Sequence, residues 1–186
     1  MNVEDDRHEQ ESANVGPLLV LAEFKVTEPN GNKIGKVTTA GVFTEYAIPT
    51  ASSSPQYITA GPDGNLWFTE DIGNKIGKVT TVSVFTKYTI PTTGSAPVGI
   101  IAGPDGNLWF TESGDKIGKV TTAGIFTEYT IPTASGPVGI TVGPDGNLWF
   151  TEIDGNKIGR VNLACGNVSG GWRRVRRREQ HTRRRV

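Results

Sequence analysis

Short runs of alternating apolar and polar residues, separated by glycine, proline and aspartate, follow one another along most of the chain. Residues 97–132 contain one complete unit, whose runs are Val98–Ala102, Asn107–Glu112, Lys116–Thr121 and Ile125–Ile131. A period of two is typical of half-buried β-strands, and runs this short do not favour helices. The pattern therefore predicts an antiparallel meander of four strands.

The first turn of this unit has the residues that a tight turn requires. Its sequence is Gly-Pro-Asp-Gly at residues 103–106. Proline fixes φ at the second position of a type I turn, and glycine accepts the positive φ that follows. We therefore expect a hairpin between the first two strands of the unit.

The same unit recurs with a period of about 41 residues. Gly-Pro-Asp-Gly-Asn-Leu-Trp-Phe-Thr-Glu occurs three times, starting at Gly61, Gly103 and Gly143, and Lys-Ile-Gly-Lys/Arg-Val occurs four times. Tandem four-stranded units of this length are typical of β-propeller blades, because a lone small sheet cannot bury both faces. Leucine-rich repeats are shorter, and helical repeats lack this density of glycine and proline. The predicted fold class is an all-β propeller.

Each repeated Leu-Trp-Phe run places large apolar side chains on both faces of its strand. The three runs occupy residues 66–68, 108–110 and 148–150. Neighbouring blades would cover both faces, so these tryptophans are expected in inter-blade cores rather than in a ligand-stacking role.

The number of strands leaves the ring incomplete. The predicted blades are residues 24–49, 55–91, 97–132 and 137–161, and the first and last each have three strands. Fourteen strands make about half of a seven-bladed ring. Two chains could close one ring as a homodimer, or the chain could be a truncated gene product with exposed sheet edges.

Charge separates the two ends of the chain from its middle. Residues 1–23 form an acidic leader, and residues 162–186 form a tail with eight arginines and one glutamate; both are expected to be disordered. The tail lacks aromatic interleaving, so nucleic-acid binding is not expected. No apolar segment is long enough to cross a membrane, and no signal peptide is recognisable. A soluble, cytoplasmic protein is favoured, with secretion left open.

The repeated motifs, completed by Phe-Thr-Glu-Tyr-Thr-Ile-Pro-Thr, closely resemble the virginiamycin B lyase family over about residues 24–161. The resemblance implies a seven-bladed propeller with an axial site for a small cyclic peptide. It also implies a Mg²⁺-dependent C–O elimination that linearises streptogramin B antibiotics, which is an antibiotic-resistance activity.

That reaction needs a base for the α-proton and a cation to stabilise the developing enolate. In the family a histidine is the base, and acidic and histidine side chains hold the metal. The only histidines here, His8 and His181, lie outside every repeat. No catalytic residue is therefore assigned, and the chain is predicted to be catalytically incompetent. The alternative is a non-catalytic propeller that acts as a binding or interaction module.

Repeated glutamates are the remaining candidate ligands. Glu28, Glu70, Glu112 and Glu152 each end the second strand of a blade. If those strand ends face the axis, Glu70, Glu112 and Glu152 could hold a hard cation such as Mg²⁺ through oxygen ligands. Alternatively, each glutamate pairs with a neighbouring lysine or accepts a hydrogen bond from a turn.

Overall fold

All regular structure in the described part of the chain is β-strand. A computed structural model describes residues 23–28, 30–133, 136–164 and 167–170. Fifteen strands form four antiparallel sheets, each of which follows the chain order as a meander. The described residues include no helix that is long and apolar enough to cross a bilayer. The predicted all-β propeller blades are confirmed.

The four sheets are the blades of the propeller. Blade 1 contains β1 (Glu23–Glu28), β2 (Lys33–Thr38) and β3 (Phe43–Ala47). Blade 2 contains β4 (Pro55–Ala60), β5 (Leu66–Glu70), β6 (Lys75–Val79) and β7 (Phe85–Thr89). Blade 3 contains β8 (Pro97–Ala102), β9 (Leu108–Glu112), β10 (Lys116–Val120) and β11 (Phe126–Thr130). Blade 4 contains β12 (Pro137–Val142), β13 (Leu148–Glu152), β14 (Lys157–Asn162) and β15 (Asn167–Gly170).

Blade 4 has one strand more than the sequence predicted. β15 pairs antiparallel with β14, Val161 opposite Val168. The prediction of fourteen strands, with the blades ending at residue 161, missed it because Asn-Val-Ser-Gly lacks the aromatic pattern of the other outer strands. The acidic leader up to residue 22 and the arginine run after residue 170 lie outside the described residues. Two chains would therefore bring thirty described strands.

The inner strands establish how the blades are arranged. β4, β8 and β12 contact one another in chain order, and β1 contacts β4. In β1, Val26 pairs with Gly35 as Phe68 pairs with Gly77, so β1 corresponds to the second strand of a complete blade. The described part of blade 1 therefore has no inner strand.

Three apolar cores lie between consecutive blades. Blades 1 and 2 share a core that includes Ile34, Ile48 and Phe68, and blades 2 and 3 share one that includes Trp67, Ile76, Leu108 and Phe110. Blades 3 and 4 share a third core, formed by Trp109, Ile117, Ile131, Leu148, Phe150 and Val161. Blades 2 and 3 thus present Trp and Ile to the next blade and Leu, Phe and Val to the preceding one, whereas blade 1 presents Ile34 and Ile48 without a tryptophan. Trp67 and Trp109 are buried as predicted, whereas Trp149 is only half-buried.

The invariant glycine of the Lys-Ile-Gly motif makes room for the neighbouring phenylalanine. A Cβ atom added at Gly118 would lie 2.1 Å from Cζ of Phe110. A side chain at this position would displace the Phe110 ring from the core, so the strand carries glycine despite its low β-propensity.

Threonine hydroxyl groups connect each blade to the next. Thr69 Oγ1 donates to the carbonyl oxygen of Val98 at 2.7 Å, and Thr111 Oγ1 donates to that of Val138 at 2.9 Å. Each hydroxyl also accepts a backbone N–H bond from the inner strand of its own blade, from Tyr57 and Gly99 respectively. The same polar link thus fixes the position of one inner strand against the following one.

Candidate functional site

The glutamates predicted as metal ligands lie at equivalent positions but are covered by protein. Glu70 stands in register between Pro55 and Lys75, and Glu112 stands between Pro97 and Lys116. Glu152 occupies the same place in blade 4. Relative exposure is 0% for Glu70, 0% for Glu112 and 2% for Glu152. These side chains are therefore buried within the ends of their blades and are not open to solvent along the axis.

Glu70 is buried without a direct hydrogen bond to either carboxylate oxygen. Burial raises its pKa above the usual value, and the nearby Thr50 hydroxyl, Lys75 and Lys87 oppose that rise. Lys87 lies on β7, the outer strand of the same blade. Positive charge from the two strands that follow β5 in the sheet thus partly compensates for the burial of this carboxyl group.

Glu112 has the same burial but a different neighbour. Neither of its oxygens has a hydrogen-bond partner with good geometry, and Glu128 lies beside it. Burial, followed by the charge and proximity of Glu128, raises the pKa of Glu112 to about 8. Lys116 Nζ lies 3.8 Å from Glu128 Oε1 and donates a hydrogen bond to Thr92 Oγ1. At neutral pH the geometry therefore favours the protonated form of Glu112.

Glu152 is held by the loop that enters blade 4. Thr133 Oγ1 donates to Glu152 Oε2 at 3.1 Å, while Oε1 has no partner. Thr133 follows Ile-Pro, as do Thr50 near Glu70 and Thr92 near Lys116. The inter-blade loop thus places a hydroxyl group next to the buried acidic end of each of these blades. For Glu152 this arrangement agrees with the alternative in which the glutamate accepts a hydrogen bond from a turn, whereas Glu70 and Glu112 have no direct partner.

Sequence reasoning missed a charged side chain that the outer strand of blades 1 to 3 places near the repeated glutamate and lysine. It is the third residue of the Phe-Thr-x-Tyr outer strand, namely Glu45, Lys87 or Glu128 in blades 1 to 3. Glu45 forms an ion pair with Lys33, Lys87 acts on Glu70, and Glu128 acts on Glu112. The change of charge at one position of an otherwise constant repeat was the available signal.

Magnesium requires several oxygen ligands around one point. Across residues 23–28, 30–133, 136–164 and 167–170, no group of three or more His, Cys, Asp or Glu side chains is placed to hold a metal ion. Next to the neighbouring carboxyl groups of Glu112 and Glu128, the ammonium group of Lys116 supplies positive charge. The described residues therefore do not fit a shared magnesium centre, and metal binding at Glu70, Glu112 and Glu152 stays a prediction.

No histidine lies among the described residues, because His8 and His181 fall outside them. Among the buried carboxyl groups, Glu112 has a pKa suited to proton transfer near neutral pH, but its side chain is fully buried. A general base must come within hydrogen-bond reach of the proton it removes. The described arrangement therefore offers no solvent-accessible base of the kind expected for elimination.

Comparison with known proteins identifies one family over most of the chain. A family described as the virginiamycin B lyase family matches residues 4–170, which extends beyond the 24–161 expected from the motifs. No curated protein sequence matches the chain significantly.

Solved structures support the same relationship. Virginiamycin B lyase from Staphylococcus aureus is 48% identical, with a TM-score of 0.77, covering 80% of this chain and 51% of its own. A catalytically inactive histidine-to-alanine variant from the same organism, solved with quinupristin, is 47% identical, with a TM-score of 0.78 and coverage of 82% and 52%. The WD40 β-propeller domain of Doa1, at 14% identity and TM-score 0.62, covers 75% of this chain and 46% of its own and shares the fold alone. The chain thus spans about half the length of the two lyase structures.

Proposed function

We propose that this chain, which belongs to the virginiamycin B lyase family, binds a streptogramin-type ligand with its blades, which form half of a propeller. The chain lacks the base that would abstract the proton. One observation carries the proposal: no histidine occurs between residues 9 and 180, although four blades of the family type lie there. A fold can form a binding surface without carrying the catalytic residues, so a protein can bind a ligand and not convert it.

The inactive relative supports a separation of binding from turnover. In that protein, replacement of a histidine by alanine accompanies the loss of catalysis, yet the structure was solved with quinupristin. A chain with related blades and no blade histidine should behave in the same way. The ligand class proposed here is therefore a cyclic peptide of the streptogramin B type.

The buried carboxyl groups do not replace the missing base. Glu112 is mostly protonated at neutral pH, and no part of it is exposed to a substrate. Glu70 is equally buried, and burial raises its pKa as well. Neither group can both reach a bound ester and accept its α-proton.

Incubation of the chain with Mg²⁺ and quinupristin is expected to give no linear product above the buffer blank. Elimination leaves the mass of the antibiotic unchanged, so the products are separated by reversed-phase chromatography. The lyase from Staphylococcus aureus is the positive control. In parallel, titration with quinupristin is expected to change tryptophan fluorescence in a saturable way.

Two results would overturn the proposal. Product formed in proportion to protein concentration would show that the chain catalyses the reaction, and His8→Ala and His181→Ala variants would then identify whether either histidine is the base. A flat fluorescence titration, confirmed by calorimetry, would remove the ligand-binding half of the proposal.

The elimination reaction itself is the second candidate function. Identity of 48% to a lyase favours it, and it implies turnover that depends on Mg²⁺ and stops when the metal is chelated. The assay above separates the two candidates, because the binding-only function gives no product with or without a chelator.

A further inference from the structure

The outward face of blade 4 is an apolar surface with no following blade in the described residues. We call this the blade 4 face and define it by Gly139, Thr141, Trp149, Thr151 and Ile158, which with Ile140 and Phe150 line a shallow depression of about 400 Å³. Ile158 is 52% exposed, whereas the equivalent Ile76 and Ile117 are both 0% exposed. Thr151 is exposed, whereas Thr69 and Thr111 are buried and bonded to the next inner strand. The difference in exposure between these equivalent residues corresponds to the surface that a following blade would cover.

Blade 1 carries the opposite kind of face. Phe43 is 70% exposed, although Phe85 and Phe126, at the same register position, pack into the inter-blade cores. Val37, directly opposite Phe43 on the neighbouring strand, lies on the same face. We call this surface, together with the register positions of Phe24 and Val26, the blade 1 face.

The junction between blades 3 and 4 shows what the two faces would need to match. There, Trp109 and Ile117 of blade 3 pack with Leu148, Phe150 and Val161 of blade 4. The blade 4 face repeats the first set with Trp149 and Ile158. The blade 1 face repeats the second, with Phe24, Val26 and Val37 at the register positions of Leu148, Phe150 and Val161.

We propose that the blade 4 face binds the blade 1 face of a second copy of this chain, head to tail. One chain carries both halves of a junction that its own interior forms three times, so a second copy supplies the required apolar partner. Such an interface is heterologous, with different residues on its two sides.

The number of blades predicts how copies can add. The described residues of each chain occupy four blade positions, so those of two chains occupy eight, and a seven-bladed homodimer is not the product of simple docking. Propellers contain four to eight blades, so two chains fit an eight-position ring. If the inter-blade angle does not close that ring, copies continue to add as an open chain.

Sedimentation velocity over a wide concentration range tests the junction. Wild type is expected to sediment as species larger than 19.9 kDa at high concentration. Ile158→Glu and Phe43→Glu each place a charge on one face and should leave only single chains. Ile153→Glu is the matched control, since Ile153 is 65% exposed in a turn of blade 4 outside the face, and it should associate like wild type.

Mixing the two single-chain variants tests the head-to-tail direction. Ile158→Glu retains an intact blade 1 face, and Phe43→Glu retains an intact blade 4 face, so their mixture should form one junction and a 1:1 heterodimer. Wild type that stays a single chain at every concentration overturns the proposal, as does a mixture that does not pair. Far-ultraviolet circular dichroism identifies a misfolded variant, in which case Val37→Glu or Trp149→Glu tests the same face.

Discussion

Replacement of Trp109 by alanine is expected to lower the free energy of unfolding by about 3–5 kcal/mol. Trp109 is 2% exposed in the core between blades 3 and 4, and its ring stacks on Tyr129 with centroids 5.6 Å apart. Its indole N–H donates to Asp105 Oδ1 at 3.0 Å. The variant would lose the buried surface, the stacking on Tyr129 and the hydrogen bond to Asp105, and it would leave a cavity between two blades. Urea unfolding followed by circular dichroism measures the loss.

Trp149→Ala is the matched control for this prediction. Trp149 occupies the same repeat position and donates to Asp145 Oδ1 at 2.9 Å, but it lies half-buried on the blade 4 face. We expect its replacement to cost less than half as much, because no following blade covers it. Both variants are measured in the Ile158→Glu background, so that association does not contribute. Equal losses would contradict the claim that packing between blades is the main stabilising contribution of the repeated tryptophan.

The stability of the chain is expected to fall as the pH rises from about 5 to 9. The pKa of Glu112 is raised from 4.5 to about 8 in the folded state, so folding favours its protonated form. The stabilisation is complete below about pH 4.5 and is lost as the pH passes through about 8. One pKa unit corresponds to about 1.4 kcal/mol, so the raised pKa of Glu112 contributes at most roughly 5 kcal/mol. Thermal unfolding at each pH measures the change as several degrees in Tm.

Glu112→Gln is expected to remove most of this pH dependence. Glutamine keeps the shape of the side chain but cannot ionise, so the variant should be more stable than wild type at pH 9. Glu70→Gln should have a smaller effect, because Lys75 and Lys87 oppose the rise in the pKa of Glu70. A wild-type profile that is flat, or one unchanged by Glu112→Gln, would show that Glu112 does not titrate in this range.

Exchanging the charge at the outer-strand position between blades 2 and 3 tests what causes the pKa shifts of Glu70 and Glu112. Glu128→Lys gives blade 3 the charge pattern of blade 2, so we expect a lower pKa for Glu112. Lys87→Glu makes the reciprocal change, so we expect a higher pKa for Glu70. Carboxyl carbon NMR titration of the two glutamates reports both directly. Unchanged pKa values would assign the shift to burial alone.

The sequence was sufficient to predict the blades because each depends on local patterns repeated several times. The turn residues at 103–106, the alternating strands and the paired Phe110 and Gly118 all appear as fixed positions of the repeat. β15 was missed because its pairing with β14 depends on tertiary contacts of Val168 and not on a recognisable strand motif.

The environments of the acidic side chains were less predictable for a different reason. Glu70, Glu112 and Glu152 are identical in sequence context, which suggested one shared role. Their surroundings differ through Lys87, Glu128 and Thr133, which come from other strands and loops. Repetition therefore predicted where the carboxyl groups lie, but their protonation depends on residues that vary between repeats.

The threonine links between blades also bear on how such a chain can change in length during evolution. Each hydroxyl joins residues fewer than thirty positions apart, Thr69 to Val98 and Thr111 to Val138, so every blade recognises only its immediate neighbours. A duplicated unit would meet the same donor on one side and the same acceptor on the other. Gene duplication can therefore insert a whole blade that replaces one junction by two equivalent ones, and only the angle between blades limits how many units a closed molecule accepts.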